Sequence, residues 1–211
     1  ALCDAVQFAH AAGILHVDLK PENIFVQGRG GSEKPKLGDW GVACDVAEAK
    51  RRVEQGEIFG TPIYFSPELT QLYPADPQAD LYALGAILYY FLTGRHYLDL
   101  DKATSWEQLV DQICTRQSSS LCEGHPEITL EVERIVFTAL AKSREERYKT
   151  VAEFAAEIRK HLLAGERELS RQRDIEQERN KRVQEALVVA EQQFAAIRRA
   201  QEDVSAVKAD L

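Results

Sequence analysis

The order of apolar and polar positions divides the chain into a mixed body and a strongly polar tail. Leu2, Val6 and Ala9 recur at helical spacing up to Gly13, which predicts a helix over residues 1–12 closed by a glycine cap. Two short apolar runs follow, Ile24–Val26 and Lys36–Gly38, joined by the Gly-, Ser- and Lys-rich segment 27–35, and read as a hairpin. Residues 39–68 carry no sustained period and read as a long loop with one helical turn near 47–53. Leu81–Thr93 is apolar nearly all round, the pattern of a helix buried in mid-domain, with Gly94 as its stop. Helical spacing returns over 106–115, 130–142 and 151–163.

Beyond Ala164-Gly165 the composition shifts. Residues 166–211 contain no Pro or Gly and carry ten acidic and nine basic side chains. Val183, Leu187, Ala190, Phe194, Ile197, Val204 and Leu211 fall on one heptad seam. Gln201 and Lys208 interrupt it, and Arg173, Glu176 and Asn180 occupy its earlier core positions. The expectation is a long helix with a partial coiled-coil seam, able to form a homodimer through residues 183–211. The fold class is accordingly mainly α with one short β-hairpin, divided into a body, 1–163, and a helical tail, 164–211.

Composition narrows the partners. A net charge of −8 argues against a nucleic-acid surface and supplies no basic patch for anionic membranes. No apolar run reaches the ~18 residues that suggest a membrane span, and the chain opens without a signal peptide, so a cytoplasmic location is expected. Cys3, Cys44, Cys114 and Cys122 lack C-x-x-C pairing and read as free thiols of a reducing compartment. There is no Met, and Ala1 already lies inside a helical pattern, so the sequence is expected to be a piece of a longer protein.

The candidate chemistry sits between the first helix and the first strand, in His16-Val17-Asp18-Leu19-Lys20-Pro21-Glu22-Asn23. An Asp, a Lys and an Asn at this spacing suit phosphoryl transfer, where a protein mainly positions a hydroxyl and neutralises charge with Mg²⁺. An H-x-D tripeptide alone carries nothing; the weight lies in an ordered set. Asp39-Trp40-Gly41 follows, then Gly60-Thr61-Pro62-Ile63-Tyr64-Phe65-Ser66-Pro67-Glu68, then Asp80-Leu81-Tyr82-Ala83-Leu84-Gly85, then Arg147 before the last body helix. The set resembles the large, mostly helical C-terminal lobe of the eukaryotic-type serine/threonine protein kinases, whose catalytic loop reads His-Arg-Asp-Leu-Lys-Pro-x-Asn. The helical body with such a tail looks like the bacterial branch of that family.

The resemblance implies a role for each residue. Asp18 would orient the substrate hydroxyl or accept its proton, and Lys20 would place a positive charge beside the transferred phosphate of ATP. Asn23 and Asp39 would be oxygen ligands for Mg²⁺. Gly60 and Thr61 would belong to the activation segment facing a protein substrate, Thr61 with Lys20 marking the serine/threonine class. Glu68 and Arg147 would form a buried ion pair, and Asp80 would hold the catalytic-loop backbone. The family's small N-terminal lobe, with its Gly-rich loop and phosphate-gripping Lys, is not among these residues. By itself the chain is expected to bind ATP poorly and to expose apolar surface on the face that lobe covers. The competing expectation is a pseudokinase that uses the fold and tail only for interaction.

Four departures stand out. Val17 replaces the Arg that family members commonly use to bind an activation-segment phosphate, and residues 42–58 contain no Ser, Thr or Tyr. Activity independent of activation-segment phosphorylation is therefore expected. Trp40 keeps an aromatic where Phe is usual, and Ser66 replaces Ala before Pro67-Glu68.

Overall fold

The computed structural model describes residues 1–117 and 119–209, with side chains described up to residue 184. The chain divides into two compact units, Ala1–His161 and Leu162–Leu211.

Helix α1 spans Leu2–Ala11, and an antiparallel pair follows, β1 (Ile24–Gln27) with β2 (Lys34–Leu37), in register Ile24 to Leu37. The second strand starts earlier than the apolar pattern suggested, because Lys34 and Pro35 extend the ladder opposite Gln27 and Val26. Helix α2 covers Val46–Glu54, where a single turn was expected. Its start is fixed by Asp45, whose side chain accepts the Glu48 amide, and Glu48 in turn binds Arg51 and Arg52 on the next turn. A short helix α3, Pro67–Thr70, leads into α4, Pro77–Thr93.

Helix α4 is the core of the first unit. It begins before its apolar run because Asp76 caps it, its carboxylate accepting the Gln78 and Ala79 amides at 2.9 and 3.3 Å, with Pro77 in the first turn. Gly94 ends it in the left-handed conformation, φ 68°. Leu81, Tyr82 and Ala86 are fully buried, as expected of a helix apolar on all sides. Helix α7 (Leu130–Ala139) packs on it, while α5 (Trp106–Thr115) packs on α3 and α6 (Leu121–Gly124) on α7. Gly85 lets α4 and α7 close together, since a Cβ there would stand 2.8 Å from that of Ala139.

Helix α8 runs from Val151 to Ala209 with no break at Gly165. Its first turns bury Val151 and Phe154 in the core, while Leu162, Leu169 and Val183 are at least half exposed. The seam residues Leu187, Ala190, Phe194, Ile197, Gln201, Val204, Lys208 and Leu211 lie outside the described side chains. Among the described residues no helix is long and apolar enough to cross a membrane, and all four cysteines are free. Phe8, Phe25 and Val26 are strongly exposed on α1 and β1.

Candidate active site

The loop between α1 and β1 is fixed from below by α4. Asp80, 2 % exposed in the first turn of that helix, accepts the His16 and Val17 amides on its two oxygens, both at 2.9 Å. His10, on the last turn of α1, adds a third contact to Asp80 at 2.8 Å. These bonds hold Val17 at φ 71°, a left-handed conformation that a β-branched residue rarely adopts. They also orient the next residue, Asp18. Loop and helix lie far apart in sequence, so the anchoring of one by the other fixes the site to the core of the unit.

Asp18 is the point on which the site converges. Its Oδ2 receives the Lys20 ammonium at 2.6 Å and, weakly, the Asn23 amide at 3.4 Å. Its Oδ1 receives the Thr61 hydroxyl at 2.6 Å, and Lys20 also donates to Thr61 at 3.0 Å. Asn23 donates to the Asp18 carbonyl at 2.8 Å, closing the turn. Burial raises the Asp18 pKa, but the bonds from Lys20, Thr61 and Asn23 outweigh it and leave the carboxyl below its usual value. Asp18 is thus an anion at neutral pH. It is better suited to orienting a hydroxyl than to removing its proton early.

Gly60 explains how Thr61 reaches this centre. At φ +111°, a Cβ on Gly60 would meet the Val17 carbonyl at 2.8 Å and the Phe65 ring at 3.0 Å. Only glycine lets the two loops touch.

Asp39 is exposed and left-handed at φ 55°, at the end of the hairpin, with a long contact from the Gly41 amide at 3.4 Å. The Asn23 amide nitrogen is committed to Asp18, which leaves its Oδ1 as the donor atom. A carboxylate and an amide oxygen are the hard donors that Mg²⁺ takes when phosphates and water complete its shell. The donor chemistry fits the ion. Among the described residues no cluster of three His, Cys, Asp or Glu forms a metal cage.

The remaining matched residues are structural. Arg147 meets Glu68 in a bidentate pair at 2.7 and 2.8 Å, with the side chains 0 % and 6 % exposed. Arg147 also donates to the Ala141 and Lys142 carbonyls and lies 4.8 Å from the Tyr82 ring. Burial raises the Glu68 pKa, but Arg147 outweighs it and holds the carboxyl below its usual range.

Sequence reasoning missed several groups. His10 was assigned only to a helical pattern, although a polar side chain in the last turn of a largely apolar helix was a signal. His16 is wholly buried, contacts the Gly38 carbonyl at 3.1 Å and packs its ring 4.6 Å from Trp40, while its Nδ1 has no partner among the described residues. Lys142 is half-buried beside Tyr82 and Tyr97, donating to the Tyr82 hydroxyl at 3.1 Å, with its pKa pushed down by burial to about 8.

Residues 1–163 match the family model described as the protein kinase domain. The chain is 38 % identical over 154 residues to the serine/threonine-protein kinase Pkn1 of Myxococcus xanthus, covering 72 % of this chain and 22 % of that protein. It is 33 % identical over 156 residues to PknB of Mycobacterium leprae, and 34 % over 157 residues to PknB of Mycolicibacterium smegmatis. Each of those matches covers 74 % of this chain and 24 % of the relative. The chain therefore spans about a quarter of the length of the curated relatives it matches. The chain belongs to the protein kinase family, in the bacterial branch of its eukaryotic-type serine/threonine kinases.

Proposed function

We propose that residues 1–163 are the C-terminal lobe of a protein serine/threonine kinase that transfers the γ-phosphoryl group of ATP in line to a protein Ser or Thr. The observation that carries this reading is the grip of Lys20, Thr61 and Asn23 on the Asp18 carboxylate, 2.6 Å for the two closest bonds. In this reading Asp18 holds the attacking hydroxyl in line and takes up its proton as transfer completes. Lys20 balances charge on the phosphoryl oxygens while holding Asp18 in place. Thr61 ties the activation segment to both. Asn23 and Asp39 hold Mg²⁺, which supplies charge neutralisation on the phosphates. Glu68, Arg147 and Asp80 keep this geometry rigid. A small lobe carried by the longer protein covers the exposed Phe8, Phe25 and Val26, so this lobe alone transfers phosphate negligibly; the kinase domain is cytoplasmic. The test is Asp18-dependent transfer by the protein extended through that lobe.

The tail, residues 164–211, is read as a helix that pairs with a second copy through residues 183–211. What supports the pairing is the heptad spacing of Val183, Leu187, Ala190, Phe194, Ile197, Val204 and Leu211 in the sequence. Sedimentation equilibrium at micromolar concentration is expected to give a dimer, and residues 1–163 alone a monomer; a monomeric full chain would refute the pairing.

A further inference from the structure

The segment between Asp39 and Glu68 has no hydroxyl to phosphorylate before Thr61, and the position before Asp18 holds no arginine, yet the segment is folded. What orders it is visible. Val17 lies among Ala49, Val53, Ile58, Phe59 and Leu69 beneath α2, and the cavity left between them is about 20 Å³. The residue before Asp18, where family members commonly carry a phosphate-binding arginine, is here a valine packed on apolar neighbours, with Arg52 and Glu57 lining the same cavity.

Arg52 itself is 21 % exposed. Its Nε donates to Glu48 at 2.8 Å and its Nη1 to the Val42 carbonyl at 2.9 Å, while its guanidinium carbon lies 4.6 Å from the centre of the Phe59 ring. One side chain thus joins the first residues of the segment, the middle of α2, and the residue before Gly60 and Thr61. We propose that Arg52 is a positioning residue that closes the activation segment on itself and so presents Thr61 to Asp18 without phosphorylation. The positioning role rests on the kinase reading above. The tether itself rests only on the contacts of Arg52. The planar fork matters, since a lysine ammonium cannot bind Glu48 and Val42 together while stacking on Phe59.

Arg51 supplies the control. It binds the same Glu48 at 2.7 and 2.8 Å and carries the same charge, but it is 62 % exposed and has no contact with Val42 or Phe59 among those described. The experiment compares Arg52→Ala, Arg52→Lys and Arg51→Ala in the full chain by amide hydrogen exchange over residues 42–59, with melting temperature as a fold check. Arg52→Ala is expected to speed exchange roughly tenfold or more, the worth of one charge-assisted hydrogen bond. Arg51→Ala, which loses only an exposed i,i+3 pair, is expected to speed exchange by about twofold at most, and Arg52→Lys to fall between Arg52→Ala and wild type. In the protein extended through its small lobe, Arg52→Ala should lower kcat for a protein substrate and leave the KM for ATP unchanged. Equal exchange in Arg51→Ala and Arg52→Ala overturns the proposal whatever the activity. Exchange that responds as stated, in a wild type without Asp18-dependent transfer, overturns instead the kinase reading and with it the positioning role.

Discussion

Replacing Glu68 by Ala is the sharpest perturbation of the scaffold. It removes one half of a bidentate pair whose other half, Arg147, has a wholly buried side chain. The two carbonyl bonds of Arg147 and the Tyr82 ring remain, but none of them neutralises the guanidinium. Breaking one partner out of such a pair costs ~3–5 kcal/mol, because the orphaned charge stays desolvated. At an unfolding entropy of ~2.1 cal/mol/K per residue over Ala1–His161, the melting temperature should fall by roughly 9–15 °C. The assay is calorimetric unfolding of the chain and its variants. The double variant Glu68→Leu, Arg147→Met should recover much of the loss, since no lone charge is left buried. The Glu68 pKa lies below its ordinary 4.5 in the folded state, so the pair's contribution is present above that value and is lost as the pH falls through the folded pKa. In the Ala variant the acid limb should flatten. A melting temperature within about 2 °C of wild type, less than 1 kcal/mol for a domain of this size, would refute the argument from buried charge.

Two further outcomes follow from single groups. Lys142 has a folded pKa of about 8 against an ordinary 10.5, so between those values the unfolded chain holds a proton that the folded one has released. Stability should therefore rise with pH from about 8 in wild type relative to Lys142→Met, a difference read by urea unfolding between pH 7 and 9.5; parallel curves would contradict it. Gly60→Ala, which forces a side chain against the Val17 carbonyl at φ +111°, should cost ~1–3 kcal/mol and speed amide exchange at Thr61, whereas Gly56→Ala, with open space around it, should cost less.

How much of this was legible in the sequence follows the range of the forces involved. Helix α4 was readable because its signal is local, a long apolar run ended by Gly94. The loop of residues 16–23 was readable because its polar groups are compressed into adjacent positions, so Asp18, Lys20 and Asn23 meet locally, while Asp80 and Thr61, which also fix Asp18, come from distant segments. Helix α2 was underestimated because most of its exposed face is charged. Its stability comes from the Asp45 cap and the Glu48–Arg51–Arg52 cluster more than from an apolar stripe. Helix α8 continues through Gly165 because one glycine costs about 1 kcal/mol in a helix otherwise rich in Glu, Arg, Gln and Ala. The grip of Asp80 on His10, the left-handed Val17 and the seat of Lys142 between two tyrosines were not legible. Each depends on groups distant in sequence meeting in one place, and only His10, polar in the last turn of a largely apolar helix, leaves a local trace of it.

The most direct measurement of the central claim is phosphate transfer from ATP with Mg²⁺ to a generic Ser/Thr protein substrate. It uses the protein extended through its small lobe beside its Asp18→Asn variant, with melting temperatures to show that both are folded. The account predicts transfer by the wild type and a loss of ~10²–10⁴ in kcat for the variant, the range of a general base, with little change in the KM for ATP. Folded wild-type protein that transfers nothing, or an Asp18→Asn variant as active as wild type, would contradict it.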